Sequence, residues 1–177
     1  MTPAGPVEFS RPERVDTIGD RPREVRIAAT EAERAALARR FALIAIDRLE
    51  AQFTLRREAD AIVAEGRVGA AVTQACAASG VPLAATVDEP VALRFVDDDV
   101  PDDELELSGD ALDTLPIEGG AIDLGEAAAE TMALALDPFA RAPDADAVLA
   151  AAGVIGEDAA GPFGGLADLK RKLAGEP

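Results

Sequence analysis

Hydrophobic and polar residues alternate most clearly over residues 49–55 of the chain. Every second residue there is apolar, and the residues between them are polar or charged. The apolar set is Leu49, Ala51, Phe53 and Leu55. Successive side chains of a strand point to opposite faces of a sheet, so this pattern predicts a strand with one buried face.

Two further apolar runs follow, over residues 62–76 and 83–95, and short turns at 57–60 and 77–80 connect the three. Gly66 and Gly69 in the second run indicate either a bulge or a close approach of another backbone. Pro90 in the third run indicates an edge position or a bulge, because proline cannot donate to a sheet ladder. Three runs with short connections predict an antiparallel meander.

Capping patterns mark two helices. Thr30 with Glu33 has the capping-box spacing and predicts a helix that extends to about residue 42. Asp123 with Glu126 has the same spacing and predicts a helix over 122–137, which Pro138 ends. The second helix is apolar on nearly every side, so we expect it to lie within the core or under a partner.

These elements, with short strands expected at 7–9 and 24–28, predict an α+β fold. Its antiparallel sheet is a meander of long strands, and the helices pack on one face of the sheet. We expect residues 1–140 to form a single α+β domain and residues 97–120 to be an acidic, irregular connection. Residues 141–177 are predicted to be a C-terminal extension that packs back or is partly flexible, with an amphipathic piece at 162–173.

Charge is distributed unevenly along the 177 residues. Positive and negative residues balance over 1–67, so 68–177 carry the whole net charge of −17. An acidic half repels nucleic-acid backbones but suits a basic protein, such as a ribosomal protein. We expect no DNA partner. For the arginines of the first half the sequence allows two interpretations, which are local contact with RNA and a solvated surface of mixed charge. The candidate RNA contacts are Arg23, Arg26, Arg39, Arg40, Arg56 and Arg57.

The residues that most catalysis requires are scarce. The chain has no histidine, tyrosine or tryptophan, and it has one cysteine. Without histidine the chain can form neither a Ser-His-Asp triad nor a Cys-His pair, and no phosphate-binding glycine motif is present. We therefore expect no enzyme activity, no catalytic residue and no cofactor. The acidic run 97–104 could hold Mg²⁺ or Ca²⁺, but a solvated loop is the preferred interpretation, and we predict no metal site.

Other features predict a cytoplasmic protein. No apolar run approaches the ~20 residues of a membrane span, and the first residues do not resemble a secretory signal. One cysteine cannot form an internal disulfide, as is typical of a reducing compartment. Cys76 falls on an apolar strand face, where a buried, inert thiol is the expected state.

Two segments resemble the YceD family of large ribosomal RNA subunit accumulation proteins. They are VTQACAASGVPLAATVDEPVALRF at 72–95 and IDLGEAAAETMALALDPFAR at 122–141, the latter followed by PFGGLADLK. With the strand pattern before Cys76, the resemblance covers about residues 5–173. The family-signature positions it assigns are Gln74, Cys76, Asp123, Leu124, Gly125, Glu126, Glu130, Asp137, Pro138 and Arg141.

The resemblance implies a non-catalytic role in 23S ribosomal RNA accumulation or processing and in assembly of the large ribosomal subunit. Implied partners are ribosomal proteins or large-subunit precursor particles, with contact to rRNA as a further option. Many family members have two cysteines spaced C-x-x-C; here the second position is Ser79, so a zinc site would lack half its thiolates. The alternatives are a protein-binding structural or regulatory module unconnected with RNA, and a metal-dependent hydrolase using residues 97–104.

Overall fold

A computed structural model describes residues 8–59, 61–97 and 113–154 of the chain. Seven strands and three helices lie in these ranges, together with a short 3-10 helix at Val15–Thr17. The strands are β1 Pro12–Arg14, β2 Arg23–Ala28, β3 Ala45–Glu58, β4 Ala61–Ala75, β5 Pro82–Val96, β6 Asp113–Pro116 and β7 Ala121–Asp123. The helices are α1 Glu31–Arg40, α2 Leu124–Ala135 and α3 Ala145–Ala151.

Five strands form the main sheet, in the order β2-β3-β4-β5-β6, and β1 pairs with β7 in a separate two-stranded sheet. The pairs β2–β3 and β3–β4 are antiparallel, which confirms the predicted α+β fold and its antiparallel sheet. One part of the prediction is wrong: residues 113–116 do not lie in an irregular connection but form β6, which pairs in parallel with the end of β5. Residues 98–112 of that connection lie outside the described ranges.

Long strands β3 and β4 provide the centre of the sheet. Their inner face is the one predicted from alternation, and Phe53 and Leu55 there are fully buried. A side chain at Gly66 would start only 1.9 Å from the carbonyl oxygen of Gln52, so the close-approach interpretation of this glycine is confirmed. The register shifts between Ile46 and Arg48, which places the irregularity of this strand pair at the start of β3.

Pro90 lies inside β5, in a part of the strand that β6 does not reach. The pairing of β6 with β5 begins at Leu93. Within the described ranges Pro90 therefore occupies an edge position, one of the two positions that its missing N–H allows.

Both predicted helices cover the inner face of the sheet. Thr30 caps α1 with the complete capping box, in which Glu33 reaches back to the N-cap backbone. Helices α1 and α2 pack against β3, and their apolar residues join the strands in one core. The largest fully buried side chains in this core are Phe9, Leu37, Leu49, Phe53, Leu55, Ile62, Ile122, Leu124 and Met132.

The strand predicted at 7–9 is wrong for its described residues. Glu8 and Phe9 form a bend, and the first strand is β1, which pairs with β7. Phe9 is nevertheless fully buried in the core. An apolar residue can reach the core without belonging to a ladder, so the short pattern around Phe9 did not determine the backbone conformation.

The chain divides into two compact units. The first contains Met1–Gln74 and Ala84–Pro138, and the second contains Ala75–Leu83 and Phe139–Pro177. The second unit has its own small cluster of Cys76, Ala142 and Ala145. The domain boundary expected at residue 140 stays a prediction, and the amphipathic piece at 162–173 lies outside the described residues. None of the helices described has the length and apolar character needed to cross a membrane.

Candidate functional site

Asp123 connects the start of α2 to the N-terminal segment. Its Oδ1 atom accepts hydrogen bonds from the backbone N–H groups of Gly125, at 2.9 Å, and Glu126, at 3.2 Å, as expected of an N-cap residue. The same oxygen accepts the backbone N–H of Arg11 at 2.8 Å, and Oδ2 accepts the Ser10 hydroxyl at 2.5 Å. This signature aspartate therefore has a structural role that the sequence pattern only partly indicated.

Leu124 and Gly125 are also explained by packing. Leu124 is fully buried in the core. A side chain at residue 125 would begin 2.2 Å from the carbonyl oxygen of Phe9, far inside van der Waals contact. Only glycine allows the N-terminal segment to cross the start of α2 this closely.

Glu126 binds an arginine. Its carboxylate forms two hydrogen bonds with the guanidinium of Arg40, at 2.5 and 2.9 Å, and Arg40 also bonds Glu8 at 3.3 Å. The hydrogen bonds and negative charge of Glu126 raise the pKa of Arg40. Arg40, predicted as an RNA contact, thus links α1 to α2 and to the N-terminal segment.

The remaining signature residues of the first unit lie around the end of α2. The side-chain amide of Gln74 donates to the carbonyl oxygen of Asp137 at 2.9 Å, which connects the end of β4 to the segment after the helix. Pro138 follows directly, after the helix has ended. Glu130 is exposed, and its side chain forms no ion pair or hydrogen bond within the described ranges.

Cys76, in the second unit, is a buried thiol. It is 3% exposed, and its sulfur accepts the backbone N–H of Ala142 at 3.3 Å. The neighbouring Ser79 hydroxyl, and then the backbone N–H of Ala142, lower the pKa of Cys76 to about 7. Arg141, the last signature residue, pairs with Asp146 at 2.7 Å. Among the described residues no group of three potential ligands is arranged to hold a metal ion, and of the acidic run only Asp97 is described.

Arg57 has a structural role as well. Its guanidinium donates to the carbonyl oxygens of Ile18, at 3.1 Å, and Val15, at 2.5 Å. It therefore holds the turn that precedes β2 against the end of β3.

The other predicted RNA contacts are divided among α1, β2 and β3. Arg39 is exposed in the last turn of α1, and its side chain makes no ion pair or hydrogen bond with the described part of the chain. Three form surface ion pairs: Arg23 with Glu13, Arg26 with Glu24, and Arg56 with Glu58 and Glu65. The structure thus does not bring the six predicted arginines onto one surface, and their contact with RNA stays a prediction.

An open groove lies instead on the outer face of the sheet, opposite the helices. Arg26, Gln52 and Arg67 are directly paired across β2, β3 and β4, so their side chains form one row on this face. Arg67 also bonds Asp88 of β5, through the carboxylate at 2.8 Å and the backbone carbonyl at 3.1 Å.

The next row provides the floor of this groove. It consists of Ala28, Glu50 and Gly69, and the following outward residue of β3 is Arg48, which pairs with Glu50. These two rows and residues of β5 enclose an open volume of about 890 Å³. We call this surface the outer-face groove.

Sequence reasoning missed Arg48 and Arg67. The alternation in β3 implied that Arg48 points away from the core, but the neighbours of each residue depend on strand register. The register between β3 and β4 brings Arg67 beside Gln52, two strands from Arg26.

Comparison with known proteins identifies the family. Residues 64–170, more than half of the chain, match the family model described as large ribosomal RNA subunit accumulation protein YceD. This match includes both segments that carry the resemblance, at 72–95 and 122–141, and so confirms it. Neither the curated proteins nor the solved structures include a match to the chain.

Proposed function

The chain belongs to the YceD family of large ribosomal RNA subunit accumulation proteins, and on that premise we propose that it is a non-catalytic factor in large-subunit assembly. In this proposal it supports the accumulation and processing of 23S ribosomal RNA. Family membership is the single observation that carries the proposal. Its expected partners are ribosomal proteins or precursor particles of the large subunit, with contact to rRNA as a further option.

The roles of the signature residues support a non-catalytic function. Asp123 and Gly125 fix the N-terminal segment against α2, and Gln74 fixes the segment that follows the helix. A catalytic aspartate must be able to reach a substrate, whereas the Asp123 carboxylate already accepts hydrogen bonds from four groups. The chain also lacks histidine, the side chain most often used as a general base at neutral pH.

Charge supports a basic protein partner. The net charge of −17 belongs to residues 68–177, which include most of the family match. Such a charge attracts basic ribosomal proteins over a distance set by ionic strength and keeps the protein from binding nucleic acid indiscriminately. A factor of this kind acts where large subunits are assembled, so the proposal includes a cytoplasmic location.

Deletion of the gene tests this function. We expect a lower ratio of 23S to 16S rRNA and accumulation of large-subunit precursors on a density gradient, both restored by the wild-type gene. A Cys76→Ala gene should also restore them, because the proposal gives the thiol no chemical step. Normal 23S rRNA and normal subunit profiles in the deletion strain would contradict the proposal.

A second candidate is a protein-binding module unconnected with RNA. Leu134 in α2 is 87% exposed, and in this alternative we propose that a partner protein covers it. Affinity purification with and without nuclease separates the two functions. Recovery of non-ribosomal partners alone, unaffected by nuclease, would support this second function and contradict the first.

A further inference from the structure

We infer that the outer-face groove binds a single-stranded segment of RNA. In this interaction Arg26, Arg48 and Arg67 hold the phosphate groups, and Gly69 leaves space for the bound chain. The inference deepens the proposed function and rests on it, because it assigns the RNA contact to one surface.

Gly69 is the residue that the fold itself does not explain. Glycine within a strand costs roughly 0.5–1 kcal/mol relative to alanine, so its presence calls for a reason. Gly66, three residues earlier, has one, because a side chain there would collide with the Gln52 carbonyl. A side chain at residue 69 would meet nothing closer than 3.6 Å, which is an ordinary contact distance. A glycine that the protein does not need for its own packing is typical of a place where a ligand approaches a strand closely.

The three arginines are available to a ligand. Their side chains are 74%, 52% and 57% exposed for Arg26, Arg48 and Arg67, and each is paired with a neighbouring carboxylate at the surface. Ion pairs as exposed as these add little to stability, so exchanging a carboxylate for a phosphate costs the fold little. A guanidinium also binds a phosphate through two parallel hydrogen bonds, and its flat face can stack on a base.

The side chains of the groove favour RNA over a protein partner. Protein interfaces are anchored by large apolar or aromatic side chains. In the described ranges the exposed large apolar residues all lie outside the groove lining: Ile44, Val81, Leu134, Phe139, Val148 and Val154. The groove offers instead guanidinium groups and the exposed amide of Gln52, which can both donate to and accept from an unpaired base.

Neighbouring carboxylates limit the strength of this binding. Glu50 and Asp88 line the groove beside Arg48 and Arg67, where they compete with phosphate for the guanidinium groups. Removal of either carboxylate should therefore strengthen RNA binding. If these ion pairs only stabilised the fold, their removal would leave RNA binding unchanged.

Fluorescence anisotropy of the full chain with a labelled oligouridine of about 12 nucleotides tests the inference. With three phosphate contacts, log Kd should rise with log salt concentration with a slope of about 2, since each contact to a single strand contributes about 0.7. The triple variant R26Q/R48Q/R67Q should lose most of this slope and bind about tenfold or more weakly. Gly69→Phe should weaken binding similarly by filling the groove, and Glu50→Gln should tighten it.

Arg14→Gln is the matched control for charge. Arg14 is 74% exposed and paired with Asp16, like the groove arginines, but it lies in β1. This variant should bind RNA as the wild type does, and thermal unfolding should confirm that Gly69→Phe and the triple variant remain folded. If either Gly69→Phe or the triple variant unfolds, RNA binding by the other variant and by Glu50→Gln decides whether the inference holds.

Three results would overturn the inference. The first is that the wild type does not bind oligouridine. The second is that the wild type and the folded groove variants bind it equally. The third is that those variants lose a nuclease-insensitive protein partner without losing RNA binding. The deletion phenotype is measured separately. If the groove variants bind RNA as the wild type does and the deletion strain has reduced 23S rRNA, the inference about the groove is wrong but the proposed function stands. Normal 23S rRNA in the deletion strain would contradict the proposed function.

Discussion

The carbonyl oxygen of Phe9 lies 2.2 Å from the point where a side chain at Gly125 would begin. This contact joins two segments that are far apart in sequence. It fixes the path of the N-terminal segment over the start of α2, where Asp123 adds hydrogen bonds to Ser10 and Arg11. Two residues of the family signature, Asp123 and Gly125, therefore hold the N-terminal segment against the start of α2.

Replacement of Gly125 by alanine should destabilise the protein by about 1–3 kcal/mol, because its methyl group would collide with backbone atoms that cannot rotate away. Urea unfolding followed by circular dichroism measures the difference. Gly69→Ala is the matched control, and it should leave stability unchanged or raise it by up to about 1 kcal/mol. Equal stabilities for Gly125→Ala and the wild type would show that the N-terminal segment is not held in this way.

Acid should weaken the contact between Arg11 and Glu33. The Arg11 guanidinium lies 2.8 Å from Glu33, and hydrogen bonding from it lowers the pKa of Glu33 from 4.5 to about 2. Because the folded value lies below the unfolded one, the contribution is complete above about pH 5 and is lost as pH falls towards 2. Glu33 is 21% exposed, so we expect about 1–2 kcal/mol after screening.

Glu33→Gln should remove this part of the pH dependence. Urea unfolding of the variant and of the wild type at neutral and acidic pH gives the comparison. Glu31→Gln is the control, because Glu31 lies in the same helical turn but makes no ion pair within the described ranges. A difference between wild type and Glu33→Gln that stays constant with pH would contradict this assignment.

The thiol of Cys76 should ionise near neutral pH yet react slowly. Ser79 and Ala142 lower its pKa to about 7, but the residue is only 3% exposed. Ultraviolet titration of the thiolate should give a midpoint near 7, and Ser79→Ala should raise it, because the hydroxyl makes the largest contribution. Cys76→Ala supplies the blank, since the chain has one cysteine. An unchanged midpoint in Ser79→Ala would exclude the hydroxyl as the cause.

Local sequence signals predicted the elements whose interactions are themselves local. The capping box of Thr30 and Glu33 lies within one helical turn, and the alternation of β3 reflects one buried face of one strand. Asp123 was likewise predicted as a cap. In contrast, the capping box expected of Asp123 and Glu126 is only half formed, because the Glu126 carboxylate binds Arg40 of another helix.

Long-range pairing explains what the sequence did not reveal. Among the described residues, β1 pairs with β7 and β6 with the end of β5, both far away in sequence, so neither short segment carries a sufficient pattern of its own. The outer-face groove has the same origin, because Arg26 and Arg67 become neighbours of Gln52 only through strand register. The family resemblance identified Gly125 as a signature position but not its role, because that role depends on the close contact with Phe9.

Sedimentation of the full chain with large-subunit precursors tests the central claim most directly. Lysate from cells producing a tagged protein at native level is separated on a density gradient, with Gly125→Ala as the variant that weakens the signature junction. We predict that the wild-type protein is found with precursor particles, that nuclease treatment releases it, and that Gly125→Ala shifts it to the top of the gradient. Wild-type protein confined to the top of the gradient, with normal precursors, would contradict the assignment to large-subunit assembly.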